Sequence, residues 1–146
     1  MGGYGQGGWF HYDITRHTAL PNPDFSGWYV QATYSLTGEE HTYNPANASF
    51  RGLKPAHPLG TPGGIGAWEV TARYSNIDLD FMPYATPAAG GIAGGQQNVW
   101  IMGVNWYPTN GLRFMVDYYN IQVDHVNAPA NDISANAIGI RSQISF

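Results

Sequence analysis

Trp28-Tyr29-Val30-Gln31-Ala32-Thr33-Tyr34-Ser35-Leu36-Thr37 is the stretch that decides the fold class. Trp28, Val30, Ala32, Tyr34 and Leu36 fall on one parity. Tyr29, Gln31, Thr33, Ser35 and Thr37 fall on the other. Successive side chains of a strand point to opposite faces, so the spacing predicts a strand with one apolar and one polar face.

The same alternation returns along the chain. Around 67–76, Trp68, Val70, Ala72 and Tyr74 oppose Glu69, Thr71, Arg73 and Ser75. Around 98–107, Trp100, Met102, Val104 and Trp106 share a parity, and around 112–121 so do Leu112, Phe114, Val116 and Tyr118, against Arg113 and Asp117. Around 137–146, Ile138, Ile140, Ile144 and Phe146 oppose Arg141 and Gln143. A weaker first strand over 9–15 sets Phe10, Tyr12 and Ile14 against His11 and Asp13. These make about six strands. Within 28–37, 67–75, 99–107, 112–119 and 137–146, only Ser142 is polar on the apolar parity, and no residue there is charged.

A soluble sandwich also alternates, so length and aromatic placement must choose. The clear strands run near the ~9–11 residues a tilted membrane strand needs. Trp and Tyr sit toward the ends of the apolar faces, as interfacial girdles do. Charged residues make up 11% and aromatic residues 14%, with 19 Gly; typical soluble domains carry roughly 25% charge. The expected fold is an all-β, antiparallel transmembrane β-barrel of the outer-membrane type. Residues 1–146 would then form one segment supplying about six C-terminal strands.

The Pro108-Thr109-Asn110-Gly111 turn sets the orientation. Asn-Gly favours a two-residue hairpin with positive φ, and such tight turns are periplasmic in these barrels. By parity 81–97 and 124–132 are outer loops, and residues 38–65, long and Pro-rich, fall on the periplasmic side. Trp28, Tyr74, Trp100 and Tyr118 then lie at the outer interface, and Trp68, Trp106 and Phe146 at the inner one. Glu69, Arg73, Arg113, Asp117 and Arg141 become candidate pore-lining charges, with Asp13 beside them. Three arginines against three acids make that wall neutral.

Gly27-Trp28-Tyr29-Val30-Gln31-Ala32, Leu36-Thr37-Gly38-Glu39, and then Phe50, Gly52, Lys54 and Pro55 follow one another in a distinctive order. Gly66-Ala67-Trp68-Glu69-Val70, Ala72-Arg73-Tyr74, Asn105-Trp106-Tyr107-Pro108 and the closing Gln143-Ile144-Ser145-Phe146 continue it. In this combination the chain resembles the phosphate-selective porin O and P family. The resemblance implies a closed outer-membrane barrel of about sixteen strands, usually a homotrimer, that passes small anions such as phosphate by diffusion. It implies that this chain matches about the last third of such a porin, and that Phe146 is part of the signal read by the barrel-assembly machinery.

Other chemistry is weakly signalled. His11, His17, His41, His57 and His125 form no H-x-x-x-H pair, and no Cys supplements them; solvated loop histidines and no metal are expected. No G-x-S-x-G elbow occurs, so no catalytic residue is assigned, and no cofactor is called for. The Gly-rich runs 2–8 and 90–95 lack a phosphate-loop pattern. Asp78-Leu79-Asp80 reads as a solvated strand end where alternation slips, with a rim cation as the alternative. Net charge is −4, which gives no footprint for nucleic acid. The N-terminus shows neither a basic nor an apolar leader region, so an export signal is expected upstream. Partners are then outer-membrane lipid and small solutes. Three functions stay open: a diffusion-channel segment, a non-channel outer-membrane barrel or anchor, and a soluble all-β module whose Trp28 and Trp100 stack on sugars.

Overall fold

The computed structural model describes all residues except 1, 47, 48, 51, 127–131 and 146. The strands are β1 (Gly3–Asp13), β2 (Asp24–Ser35), β3 (Tyr43–Asn44), β4 (Ser49–Phe50), β5 (Ala67–Phe81), β6 (Ile92–Thr109), β7 (Leu112–Asp124) and β8 (Asp132–Ile144). One 3-10 turn, Pro87–Ala89, interrupts the loop before β6. Six strands form one sheet in the order β1-β2-β5-β6-β7-β8, and β3 pairs only with β4. Every pairing is antiparallel. Among the described residues β1 and β8 do not pair, so the sheet is open.

Burial is inverted relative to a soluble domain. The apolar parity is the bare one: Trp28, Val30, Tyr34, Trp100, Met102, Val104, Val116 and Ile140 are all exposed. The polar parity is sheltered, with Thr33, Ser35, Glu69 and Asn105 buried. The buried apolar residues Ala67, Tyr107 and Met115 share that parity, and Leu53 joins them from residues 38–65. We call the sheltered side the inner face and the apolar side the outer face.

Residues 38–65 account for much of that shelter. The segment returns over the inner face instead of looping away. Leu36 N–H donates to Trp68 O at 2.8 Å, Leu59 N–H to Pro108 O at 2.8 Å, and Gly66 N–H to His57 O at 3.0 Å. Thr37 Oγ1 accepts from Trp68 N–H at 3.0 Å. Leu53 packs with Tyr107 and Ala67 as a small apolar cluster.

Three sequence expectations change. Strand β1 begins at Gly3 and presents the opposite face from the one predicted. Its register pairs Trp9 with Trp28, His11 with Ser26 and Asp13 with Asp24. Trp9, His11 and Asp13 therefore lie on the outer face, and Phe10 and Tyr12 on the inner. Phe10 lies over Gly27, where a Cβ would come within 2.3 Å of its ring; only glycine admits that approach. Second, the turn after β6 closes with neither Asn110 nor Gly111 at positive φ. A register shift between Trp106 and Thr109 precedes it, and such bulges add the twist a primed turn would supply. Third, the slip at Asp78-Leu79-Asp80 is a bulge: Asp80 N–H donates to Asp78 Oδ1 at 2.9 Å, and Gly95 N–H to Asp80 Oδ1 at 2.8 Å.

Candidate functional site: the inner polar face

Register decides which side chains meet. One row across the inner face runs Ser35, Glu69, Asn105, Met115 and Arg141; another runs Gln31, Arg73, Ile101 and Tyr119. Asp117 lies between them opposite Gly103, and Arg113 lies opposite Gln143 nearer the 108–111 turn. The sheet therefore puts Glu69, Arg73, Arg113, Asp117 and Arg141 on one face. Asp117 lies so close over Gly103 that a Cβ there would meet its carboxylate at 2.2 Å.

Each charge has its own surroundings. The Arg73 guanidinium sits 4.3 Å from the centre of the Tyr29 ring. Its Nη1 donates to Gln31 Oε1 at 3.3 Å, and Gln31 Nε2 donates to Gln6 Oε1 at 3.1 Å. Arg113 lies 5.1 Å from the Tyr107 ring centre, and its buried Nε has no hydrogen-bond partner among the described residues. Lys54 and Arg113 line a cavity of about 270 Å³ with Gln143 and Ser145. Glu69 is the most enclosed charge. His41 Nε2 lies 2.5 Å from its Oε2, and Asn105 Nδ2 donates to its Oε1 at 2.6 Å.

His41, Lys54, Asn105 and Tyr107 were not among the residues singled out from sequence for this face. His41 is no solvated loop histidine: its side chain is 8% exposed. The unexplained length of residues 38–65 was the only signal available for it. Among the described residues no group of His, Asp and Glu is placed to hold a metal.

The outer face carries the aromatic residues in two rows. Near the rim opposite the 108–111 turn, Trp28 and Tyr74 rings lie 5.2 Å apart, and Tyr74 and Trp100 4.6 Å. Tyr118 is on the same face, and Trp9 extends the row opposite Trp28. Near the turn, Trp68 stacks on Trp106 at 5.5 Å and Trp106 on Phe114 at 5.6 Å. Phe146 lies outside the described residues.

An antiparallel sheet with an exposed apolar face between aromatic rows, and a sheltered charged face behind it, defines the class of transmembrane porin-type β-proteins. Comparison with known proteins narrows the class. The family described as phosphate-selective porin O and P matches residues 2–146. The chain is similar to an uncharacterized protein of Caulobacter vibrioides, 29% identical over 139 residues, which cover 93% of this chain and 26% of that protein. It is also similar to porin O of Pseudomonas aeruginosa, 31% identical over 121 residues, covering 82% of this chain and 26% of porin O. The chain belongs to the phosphate-selective porin O and P family. It spans about a quarter of the length of both relatives.

Proposed function

We propose that this chain is wall and constriction segment of an outer-membrane channel that passes small anions by diffusion. The observation that carries this reading is the inversion of burial, with the apolar face bare and the charged face sheltered. A soluble module would bury Val30, Met102, Val104 and Val116. A lipid-embedded barrel exposes them and keeps its wet side chains inside.

The charge distribution supports anions more than the sequence count did. Asp13 lies on the outer face and leaves the wall. Glu69 is 3% exposed beneath His41 and Asn105. Arg73, Arg113 and Arg141 then face Asp117 alone among the acids expected for this wall, while residues 38–65 add Lys54 against Glu39 and Glu40. Charges lining a pore bias which ions pass. A chain spanning a quarter of its relatives forms this wall together with further strands, and a trimer of closed barrels is the assembly we propose. The reading is of a channel, not of an enzyme.

The test is a planar-bilayer recording across a salt gradient, with the barrel completed by its partner strands. Reversal at the anion side supports the proposal. Reversal at the cation side overturns the selectivity, and absence of any discrete opening overturns the channel.

A further inference from the structure

The outer face carries one constellation twice. On β5, Tyr74 Oη and Asn76 Nδ2 both donate to Asn98 Oδ1 of β6, at 2.9 and 2.8 Å. On β7, Tyr118 Oη and Asn120 Nδ2 both donate to Asn136 Oδ1 of β8, at 3.0 and 2.8 Å. In each pair the two asparagines are direct cross-strand partners, and the tyrosine precedes its asparagine by two residues. The constellations lie at the rim opposite the 108–111 turn, alongside the exposed rings of Trp28, Trp100 and Tyr118.

The hydrogen-bond arithmetic fixes what such a rim can bind. Both acceptor oxygens are used twice. The Nδ2 groups of Asn98 and Asn136 have no hydrogen-bond partner among the described residues. Each is a donor in want of an oxygen. The register places Asp13, Asp24, Asp78 and Asp124 on this same face and rim. No Lys or Arg of the described strands shares it. A bare phosphate, sulfate or carboxylate would meet those carboxylates and no Lys or Arg, and His11 on the same face is already engaged with Asp13 at 3.1 Å. A neutral polyol suits the whole set. Its hydroxyls accept from the amides and donate to the carboxylates, and its ring C–H faces pack on exposed Trp and Tyr.

We propose that this rim binds the uncharged sugar headgroup of a glycolipid, whose acyl chains lie along Val70, Met102 and Val104 below. The proposal rests on the lipid-facing reading of the outer face, and its experiment separates the two.

The chain, within the barrel completed by its partner strands, is reconstituted into phosphatidylcholine vesicles that also contain digalactosyl diacylglycerol or phosphatidylglycerol. Brominated acyl chains are placed on one lipid at a time, and quenching of Trp fluorescence gives relative association. We expect the galactolipid to associate about fivefold better than phosphatidylcholine, the scale of about one net hydrogen bond, and phosphatidylglycerol no better than phosphatidylcholine. The paired variant Asn98→Leu/Asn136→Leu should bring the ratio to unity while brominated phosphatidylcholine still quenches. Tyr74→Phe/Tyr118→Phe, which removes one of the two donors to each acceptor oxygen without removing an amide, should lower the ratio partway. Equal quenching by all lipids in the native chain would overturn the sugar site. So would a preference for phosphatidylglycerol, or a preference that survives both variants. Disulfide capture of a second copy through Asn98→Cys would replace the lipid by a protein partner and overturn it too. Absence of quenching by every brominated lipid would instead refute the lipid-facing reading beneath it.

Discussion

His41 Nε2 lies 2.5 Å from Glu69 Oε2, which ties residues 38–65 to the inner face of β5. Both side chains are enclosed, at 8% and 4% exposure. Asn105 holds the other oxygen of the same carboxylate at 2.6 Å. The pair gives the segment a fixed seat on the inner face.

Removing one partner of an enclosed pair leaves the other without its match. His41→Ala should therefore cost about 2 kcal/mol in fold stability, the scale of a hydrogen bond to a charged group. It should also expose the carboxylate to the lumen and lower anion selectivity. Urea unfolding in lipid vesicles reads the first effect and reversal potential the second. Unchanged values in both would contradict the assigned seat.

Glu39 gives the segment a pH dependence. Burial works against ionisation of its carboxyl. Hydrogen bonds from Thr37, the Ala56 backbone and Ser35 outweigh that and hold it below its ordinary value of 4.5. A depressed value means the ionised form is favoured by docking. The stabilisation is complete above the ordinary value and is lost as pH falls through the depressed one. Pepsin cleavage within residues 38–65 should accelerate across that acid window. Glu39→Gln should abolish the acceleration; a variant that keeps it would contradict the assignment.

The inner arginines supply a signed prediction. Arg73→Glu or Arg141→Glu reverses one wall charge, so the reversal potential of the completed channel should move toward cations. Arg73 is held by Tyr29 and Gln31, so Arg73→Lys should preserve the sign. An unmoved reversal potential in both glutamate variants would remove these residues from the wall.

Val70, Val104 and Val116 are cross-strand neighbours on the outer face. Arg at any one should cost about 2–4 kcal/mol near the bilayer midplane. Equilibrium unfolding in vesicles measures it, and near-zero cost at all three would refute burial in lipid.

The fold was legible where one face is apolar over many residues. Trp28 to Leu36, Trp68 to Tyr74 and Trp100 to Trp106 each announce a strand by period alone. Strand β1 was not, because Gly3, Gly5 and Gly7 leave its outer parity without side chains to read. Its face is set by pairing with β2 and by Phe10 over Gly27, which are long-range facts. The far ends of β5 and β6 extend past that pattern: Ile77, Leu79 and Phe81 reverse the parity against Asn76, Asp78 and Asp80, and Gly94 to Asn98 alternate not at all. Five charges could be placed on one face by parity. The cover over Glu69 could not, because residues 38–65 carry no period and find their partners far away in sequence, at Glu69, Tyr107 and Pro108.

The most direct test uses the absence of native cysteine. Single Cys residues are introduced at Val70, Val104 and Val116, and at Gln31, Thr71 and Asp117, then labelled with one small fluorophore in reconstituted vesicles. A strict alternation is expected. Labels at the three valine sites are quenched by spin-labelled lipid and not by aqueous iodide. Labels at Gln31, Thr71 and Asp117 are quenched by iodide and not by lipid. Both quenchers acting on both sets, or the two patterns exchanged, would contradict a sheet with lipid on its apolar face and water on its charged one.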